Sequence, residues 1–265
     1  MDRPTVPNAL PTESAPREAV QRWRLVLARA RLPEGTTQRA LLASWEHAFA
    51  TSGLQICGLD AGAGKPRYAF AAPLSPAIPG EAELLDLWLN RRAPRWHVRE
   101  ALLAALPEGW RIIDLFDVWL GEPALPGRVV ASVFRVSLDP SEGSRSIGLR
   151  EAAGELLAAA SLPRQRPKGD ALVAYDLRPF LGVIEVASRL DGPVIRLTLR
   201  HDPEKGIGRP EEALVALAEA EGGRPLAVRD LVREQIILAD PPALADPAAR
   251  MGPGNLKGRR STVRR

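Results

Sequence analysis

QRWRLVLARA, Gln21–Ala30, decides the fold, because the pattern that starts there occurs twice. Trp23, Leu25 and Leu27 alternate as the buried face of a strand. A turn at Pro33–Gly35 leads to Thr36 and Thr37, good helix N-caps. Leu41, Trp45, Ala48 and Phe49 then mark one face of a helix. Strands are expected over Arg67–Leu74 and Glu83–Asn90, joined through Ser75-Pro-Ala-Ile-Pro-Gly. Those prolines suit an edge hairpin, since proline cannot donate to a central ladder. Pro94 opens a second helix carrying Val98, Leu102 and Ala105, stopped by Pro107 and Gly109. Trp110–Leu120 closes the first copy as a strand.

The second copy has the same order. Val129–Leu138 reads as a strand and Ile147–Leu162 as a helix halted before Pro163. Strands follow at Ala171–Leu177 and Val194–Arg200. Pro210 with Glu211 and Glu212 is a strong helix start, and Val228–Leu238 ends in a strand. Each copy is therefore strand–helix–strand–strand–helix–strand. The expected fold class is α+β: two tandem ferredoxin-like (βαββαβ) domains with antiparallel sheets, between disordered termini. The expected boundaries are a leader over 1–18, domains over 19–122 and 127–239, and a Pro-rich then basic tail over 240–265. The open face of such a sheet can stack nucleobases, but neither VVASVFRVSL nor RWRLVLARA carries the aromatic-rich strand of an RNA-recognition domain.

Composition narrows the function classes. The 45% hydrophobic and 26% charged content is that of a globular protein, and no apolar run approaches membrane-spanning length. No signal-peptide core is visible, so a cytoplasmic location is expected. Cys57 is the single cysteine. That excludes an internal disulfide, and also the three-cysteine cluster of a radical-SAM iron–sulfur enzyme. The net charge of +4 sits in the tail. Lys257, Arg259, Arg260, Arg264 and Arg265 leave 31 basic against 32 acidic residues elsewhere. Such a tail attracts RNA, DNA or acidic protein, or simply keeps the chain in solution.

AGAGKPRYAF, Ala61–Phe70, invites comparison with a phosphate-binding loop. The comparison fails, since Leu59 stands where the leading glycine belongs and Pro66 where the hydroxyl belongs. His47, His97 and His201 have no ligand spacing, so no metal is expected, and no cofactor is expected either. His201-Asp202 with Glu204 offers a general-base cluster or, more simply, a solvated loop. Lys205-Gly-Ile-Gly-Arg209 runs into a helix start, where free amides suit a phosphate or merely let the chain turn. Arg178 can clamp Asp176 or contact an anion. Trp88 and Trp119 lie opposite the core residues of their strands and are candidates for an interface.

Four stretches resemble a bacterial family known as radical-SAM-linked, or radical-SAM-associated, proteins, a domain of unknown function. They are KPRYAFAAPLSPAIPGEAELLDLWL, LLAALPEGWRIIDL, ALVAYDLRPF and RPEEAL. The resemblance runs from about Arg22 to Leu238 and implies a partner role beside a radical-SAM enzyme. It identifies the chain as a divergent member. The first helix, TTQRALLASWEHAF, lacks the family's early His and Asp, and the loop GLDAGAGKPRYAF lacks its histidine. Lys65, Arg67, Arg178, Lys205 and Arg209 are the candidate anion or substrate contacts. The leading expectation is a noncatalytic accessory protein presenting RNA or another anionic substrate to that enzyme. The alternative is an RNA-binding or RNA-processing factor with Lys65, Arg67, Arg178 and Arg209 gathered in a basic inter-domain cleft. A self-associating scaffold is the third reading.

Overall fold

In a computed structural model that describes residues 18–59, 64–169 and 171–240, β1 (Gln21–Arg29) is the second strand from one edge of a nine-stranded sheet. The leader expected over 1–18 and the tail expected over 240–265, with its five basic residues, fall almost wholly outside the described residues. After β1 come α1 (Gln38–Thr51), β2 (Tyr68–Phe70), β3 (Gly80–Leu89), α2 (Arg95–Ala105) and β4 (Trp110–Val118). Thr37 caps α1, its hydroxyl accepting the Ala40 amide at 3.1 Å. β1 pairs antiparallel with β3 and with β4, and β2 pairs antiparallel with β3, giving the order β4-β1-β3-β2. Trp23, Leu25 and Leu27 face the helices and pack with Trp45, Phe49, Val98 and Leu102.

The second half runs β5 (Val129–Leu138), α3 (Ser146–Ala158), β6 (Pro163–Lys168), β7 (Ala171–Asp176), β8 (Leu181–Ala187), β9 (Val194–Asp202), β10 (Gly206–Ile207), α4 (Pro210–Glu221) and β11 (Val228–Leu238). Its strands are ordered β11-β5-β9-β8, all antiparallel, with β10 on the same edge of β9 as β8. Phe134, Val136 and Leu138 of β5 meet Leu149 and Leu156 of α3 and Leu217 of α4. The molecule is thus a mixed α+β protein with a large, mostly antiparallel sheet and four α-helices among the described residues.

Two strands differ from expectation. The one expected over Arg67–Leu74 runs only from Tyr68 to Phe70. Ala171–Leu177 was expected in the main sheet of the second half. Instead β7 pairs with β6 in a separate two-stranded arm, from Pro163↔Asp176 to Lys168↔Ala171. The main-sheet strand is β8, whose buried Leu181 and Ile184 pair with Leu199 and Leu197. The prolines at 163 and 167 hide β6 from propensity reasoning, because proline is tolerated only in edge strands like this one.

The halves are joined at several points among the described residues. β3 and β11 meet in parallel at Gly80↔Arg233. The β2–β3 connection, Ala71–Pro79, carries Leu74 and Ile78 into the core cluster of the second half, although both precede β3 in sequence. Two buried arginines hold that connection. Arg29 donates to the carbonyls of Leu74 (3.4 Å), Ser75 (2.5 Å) and Ile78. Arg233 donates to the carbonyls of Pro73 and Ala72, both 3.1 Å, and forms a bidentate pair with the buried Glu83. A proline-rich segment offers few amides for a ladder, so its carbonyls need donors from elsewhere; these guanidinium groups supply them.

The rear face of the first sheet, away from the helices, is covered. Asp86 is fully buried between Arg22 and Arg24, which are 1% and 5% exposed. Arg22 also donates to the carbonyls of Glu122 and Pro123 in the connection between the halves, and Glu122 reaches Arg24 at 3.1 Å and Arg128. Ala71, Ala72, Leu125, Val129 and Ile236 seal the neighbouring part. Over β1 and β3 this face is covered by its own chain, while Phe116 of β4, opposite Arg24, stays 40% exposed at the edge.

Candidate ligand cleft

A cleft of about 850 Å³ is lined by both halves. Its floor is apolar: Leu74 and Ile78 from the first half, Phe134 and Ile207 from the second. Arg166 of the β6–β7 arm and Arg209, Glu211 and Glu212 at the start of α4 give it a charged rim. Gly208 is closely packed, since a Cβ there would lie 3.0 Å from Phe180 Cβ and 3.2 Å from Leu199 Cβ, tighter than ordinary contact. That close approach brings the start of α4 against the sheet. Glu212 is engaged from within, hydrogen-bonding Tyr175 and approaching Arg209 at 3.9 Å. Burial pushes the Tyr175 phenol up to about 12, with Glu212 adding to it, so it stays a donor. Arg166 lies 4.8 Å over the Tyr175 ring and makes no ion pair among the described residues. It is the rim cation available to a ligand.

Ser132 also lines the cleft, and its Oγ lies 3.0 Å from His201 Nε2. Burial, and then the nearby Arg233 charge, lowers the His201 imidazole to about 4. A ring so hard to protonate is a poor general base and a good neutral hydrogen-bond partner. Nor does Asp202 belong to a base cluster: its carboxylate accepts the Glu204 and Lys205 amides, both 2.9 Å, and closes the β9–β10 turn.

The five residues singled out from the sequence do not converge. Arg209 lines the cleft, and the exposed Lys205 lies on the turn that leads to it. Arg178 serves structure: its guanidinium donates to the carbonyls of Ala159 (3.1 Å), Leu157 (2.5 Å) and Leu181 (3.0 Å), tying down the end of α3. Asp176 accepts the Arg178 and Leu162 amides instead of the side chain. Lys65 and Arg67 are exposed on the first half, away from the cleft lining. Arg67 lies 4.8 Å over the Trp88 ring, and Arg22 lies at the same distance. Trp88 is only 8% exposed, so its place is between two arginines of its own chain and not at an open interface. Gly58, at φ +90°, is the position that lets this loop fold back: a Cβ would lie 2.1 Å from the Lys65 carbonyl.

Arg166, Ser132 and Arg233 were missed in the sequence. The signal for Arg166 lay in PRQRPK, where basic residues alternate between prolines. Cys57 is buried. Among the described residues no group of three or more His, Cys, Asp or Glu is placed to hold a metal ion. No described helix is long and apolar enough to cross a membrane.

A family model described as "uncharacterized protein conserved in bacteria (DUF2344)" matches residues 63–210, more than half the chain. The chain belongs to this family. The match takes in the Ala71–Pro79 connection, Arg166 and the residues up to Pro210 at the start of α4. No curated protein matches the chain. Among solved structures, a Cbf5–Nop10–Gar1 complex is similar at 11% identity and a TM-score of 0.40, over 80% of this chain and 49% of that one. The chain thus spans about half the length of that match. An unknown protein from Galdieria sulphuraria follows at 15% identity and a TM-score of 0.24, over 80% and 98% of the two chains. DyPB from Rhodococcus jostii RHA1 gives 11% identity and a TM-score of 0.20, over 83% and 94%. These scores are too low to bear on fold or function.

Proposed function

We propose that this protein is a noncatalytic accessory factor that acts beside a radical-SAM enzyme and holds that enzyme's substrate in the cleft between its halves. One observation carries the reading. Two of the four stretches that resemble radical-SAM-linked proteins line the cleft, though they are far apart in sequence, and a third holds the ring under its rim arginine. The first supplies Pro73–Ile78, the third supplies Tyr175 beneath Arg166, and the fourth supplies Arg209–Glu212. The apolar floor suits a ligand with an apolar body, and Arg166 with Arg209 suits a carboxylate or phosphate at its end. The neutral Ser132–His201 pair offers a fixed hydrogen bond and no base. A cytoplasmic location goes with this role.

We read each half as a ferredoxin-like unit. The orders β4-β1-β3-β2 and β11-β5-β9-β8 support this, with the β6–β7 arm inserted after α3 of the second. The alternative, an RNA-processing factor with a basic cleft, needed Lys65, Arg67, Arg178 and Arg209 together; only Arg209 lines the cleft.

The test is affinity capture of the full chain from its native cell, with cross-linking and mass spectrometry. A stoichiometric radical-SAM enzyme, cross-linked to residues around the cleft and retained after removal of 255–265, is expected. Salt-sensitive RNA with no such partner would reject the reading.

A further inference from the structure

Four of the six tryptophans are buried, at 8% exposure or less: Trp23, Trp45, Trp88 and Trp110. Trp96 and Trp119 stand out at 64% and 65%. Trp96 lies in the first turn of α2, its ring 5.5 Å from His97 and nearly perpendicular to it. The chain around it reads NRRAPRWHVRE, Asn90–Glu100. Arg91, Arg92 and His97 line a hollow of about 320 Å³. Arg92 also lines a second hollow of about 460 Å³, whose wall carries Trp119 and Leu120. One arginine is thus shared by two hollows; Trp119 lines one, and His97, whose ring neighbours Trp96, lines the other.

The charges around this surface do not cancel. Arg95 is taken by Asp114 at 2.6 Å, while Asp117, which accepts the Gln21 side-chain amide at 2.9 Å, lines the same hollow as Arg92 and offsets part of the arginine charge. Glu100 is exposed further along α2. Arg91, Arg92 and Arg99 make no ion pair among the described residues, and the first turn of α2 has no acid. An indole left in water costs free energy unless something covers it. Unpaired guanidinium groups beside exposed indoles match a ligand that alternates phosphates with flat rings.

We propose that the surface formed by Arg91, Arg92 and Trp96 binds single-stranded nucleic acid, with backbone phosphates on the two arginines and an unpaired base stacked on the Trp96 indole. Trp119 extends the track past Arg92. A duplex keeps its bases stacked on one another and has no free ring for the indole, so the single strand is the form selected. This surface is on the first half, away from the cleft, and does not depend on the accessory reading.

The test uses the full chain and a fluorescently labelled twelve-nucleotide oligouridylate, followed by anisotropy across a salt series. Trp96→Ala should weaken binding about tenfold, within the range for loss of one stacked base. Arg91→Ala/Arg92→Ala should weaken it too and reduce the slope of log K against log salt by about 1.4, for two phosphate contacts on a single strand. Both sites are exposed, so thermal unfolding of the variants should match the parent. Trp96→Phe should restore most of the binding. Unchanged affinity in both variants would overturn the proposal. So would equal affinity for a duplex of the same length, equal competition by polyglutamate, or complete loss of binding on removing 255–265 alone.

Discussion

The rear faces of the two sheet halves differ in a way that separates their roles. On the first, Asp86 is buried between Arg22 and Arg24, and the connection through Glu122 and Pro123 lies over them. On the second, the corresponding charges stay wet. Arg135 is 35% exposed and Arg196 58%, and both reach the partly buried Glu234, at 2.7 and 2.8 Å. The strand order within each half is the same, yet one face is structural interior and the other is surface. Topology alone does not say which face of a sheet is available; the connection that crosses it does.

That contrast is open to mutation. Asp86→Ala leaves the buried Arg22 without its carboxylate and Arg24 with Glu122 alone, and should cost about 3–5 kcal/mol in denaturant unfolding. A loss under about 1 kcal/mol would mean that water reaches the network. Leu74→Ala should cost about 2–5 kcal/mol, because the side chain belongs to the core of the second half although it is connected through the first. Denaturant midpoints of the purified variant check it.

The next effect is in pH. His201 is lowered from 6.5 to about 4 in the folded protein, so the unfolded chain takes up its proton first as pH falls. The stability this group contributes is complete above about pH 6.5 and is lost as pH falls toward 4. Allowing for solvent at the partly exposed ring, the loss is on the order of 2 kcal/mol. His201→Gln should remove that part of the pH dependence, read from unfolding at pH 7 and pH 4.5. The smallest effect belongs to the open face. Glu234→Ala removes two ion pairs but should cost less than about 1 kcal/mol and fade with added salt, in contrast to Asp86→Ala.

Much of the architecture was legible. Trp23, Leu25 and Leu27 gave β1, Thr37 gave the start of α1, and Pro210 gave α4, each through local rules of period or capping. Partners distant in sequence were not legible. β8 was missed because Ala171–Asp176 had equal claim to its place, and only pairing with β6 distinguishes them. Arg178 looked like an anion contact because sequence does not show carbonyls, and carbonyls are what it binds. The cleft was half legible. Arg209 and the Lys205 loop pointed to it, but the Leu74–Ile78 wall comes from the other half of the chain. Arg233 pairs with Glu83 at a sequence separation of 150, and no local pattern marks that pair.

The central claim is that the two halves are one cooperative body, joined by the Leu74–Ile78 insertion and the Arg233–Glu83 pair. All six tryptophans lie between Trp23 and Trp119, so their fluorescence reports the first half alone. The amides of β5, β9 and α4 report the second through hydrogen exchange. Following both signals in one guanidinium titration is the most direct measurement. The account predicts coincident midpoints and slopes, and a common downward shift in Leu74→Ala. Separate transitions, with the tryptophans unfolding while β9 stays protected or the reverse, would contradict it.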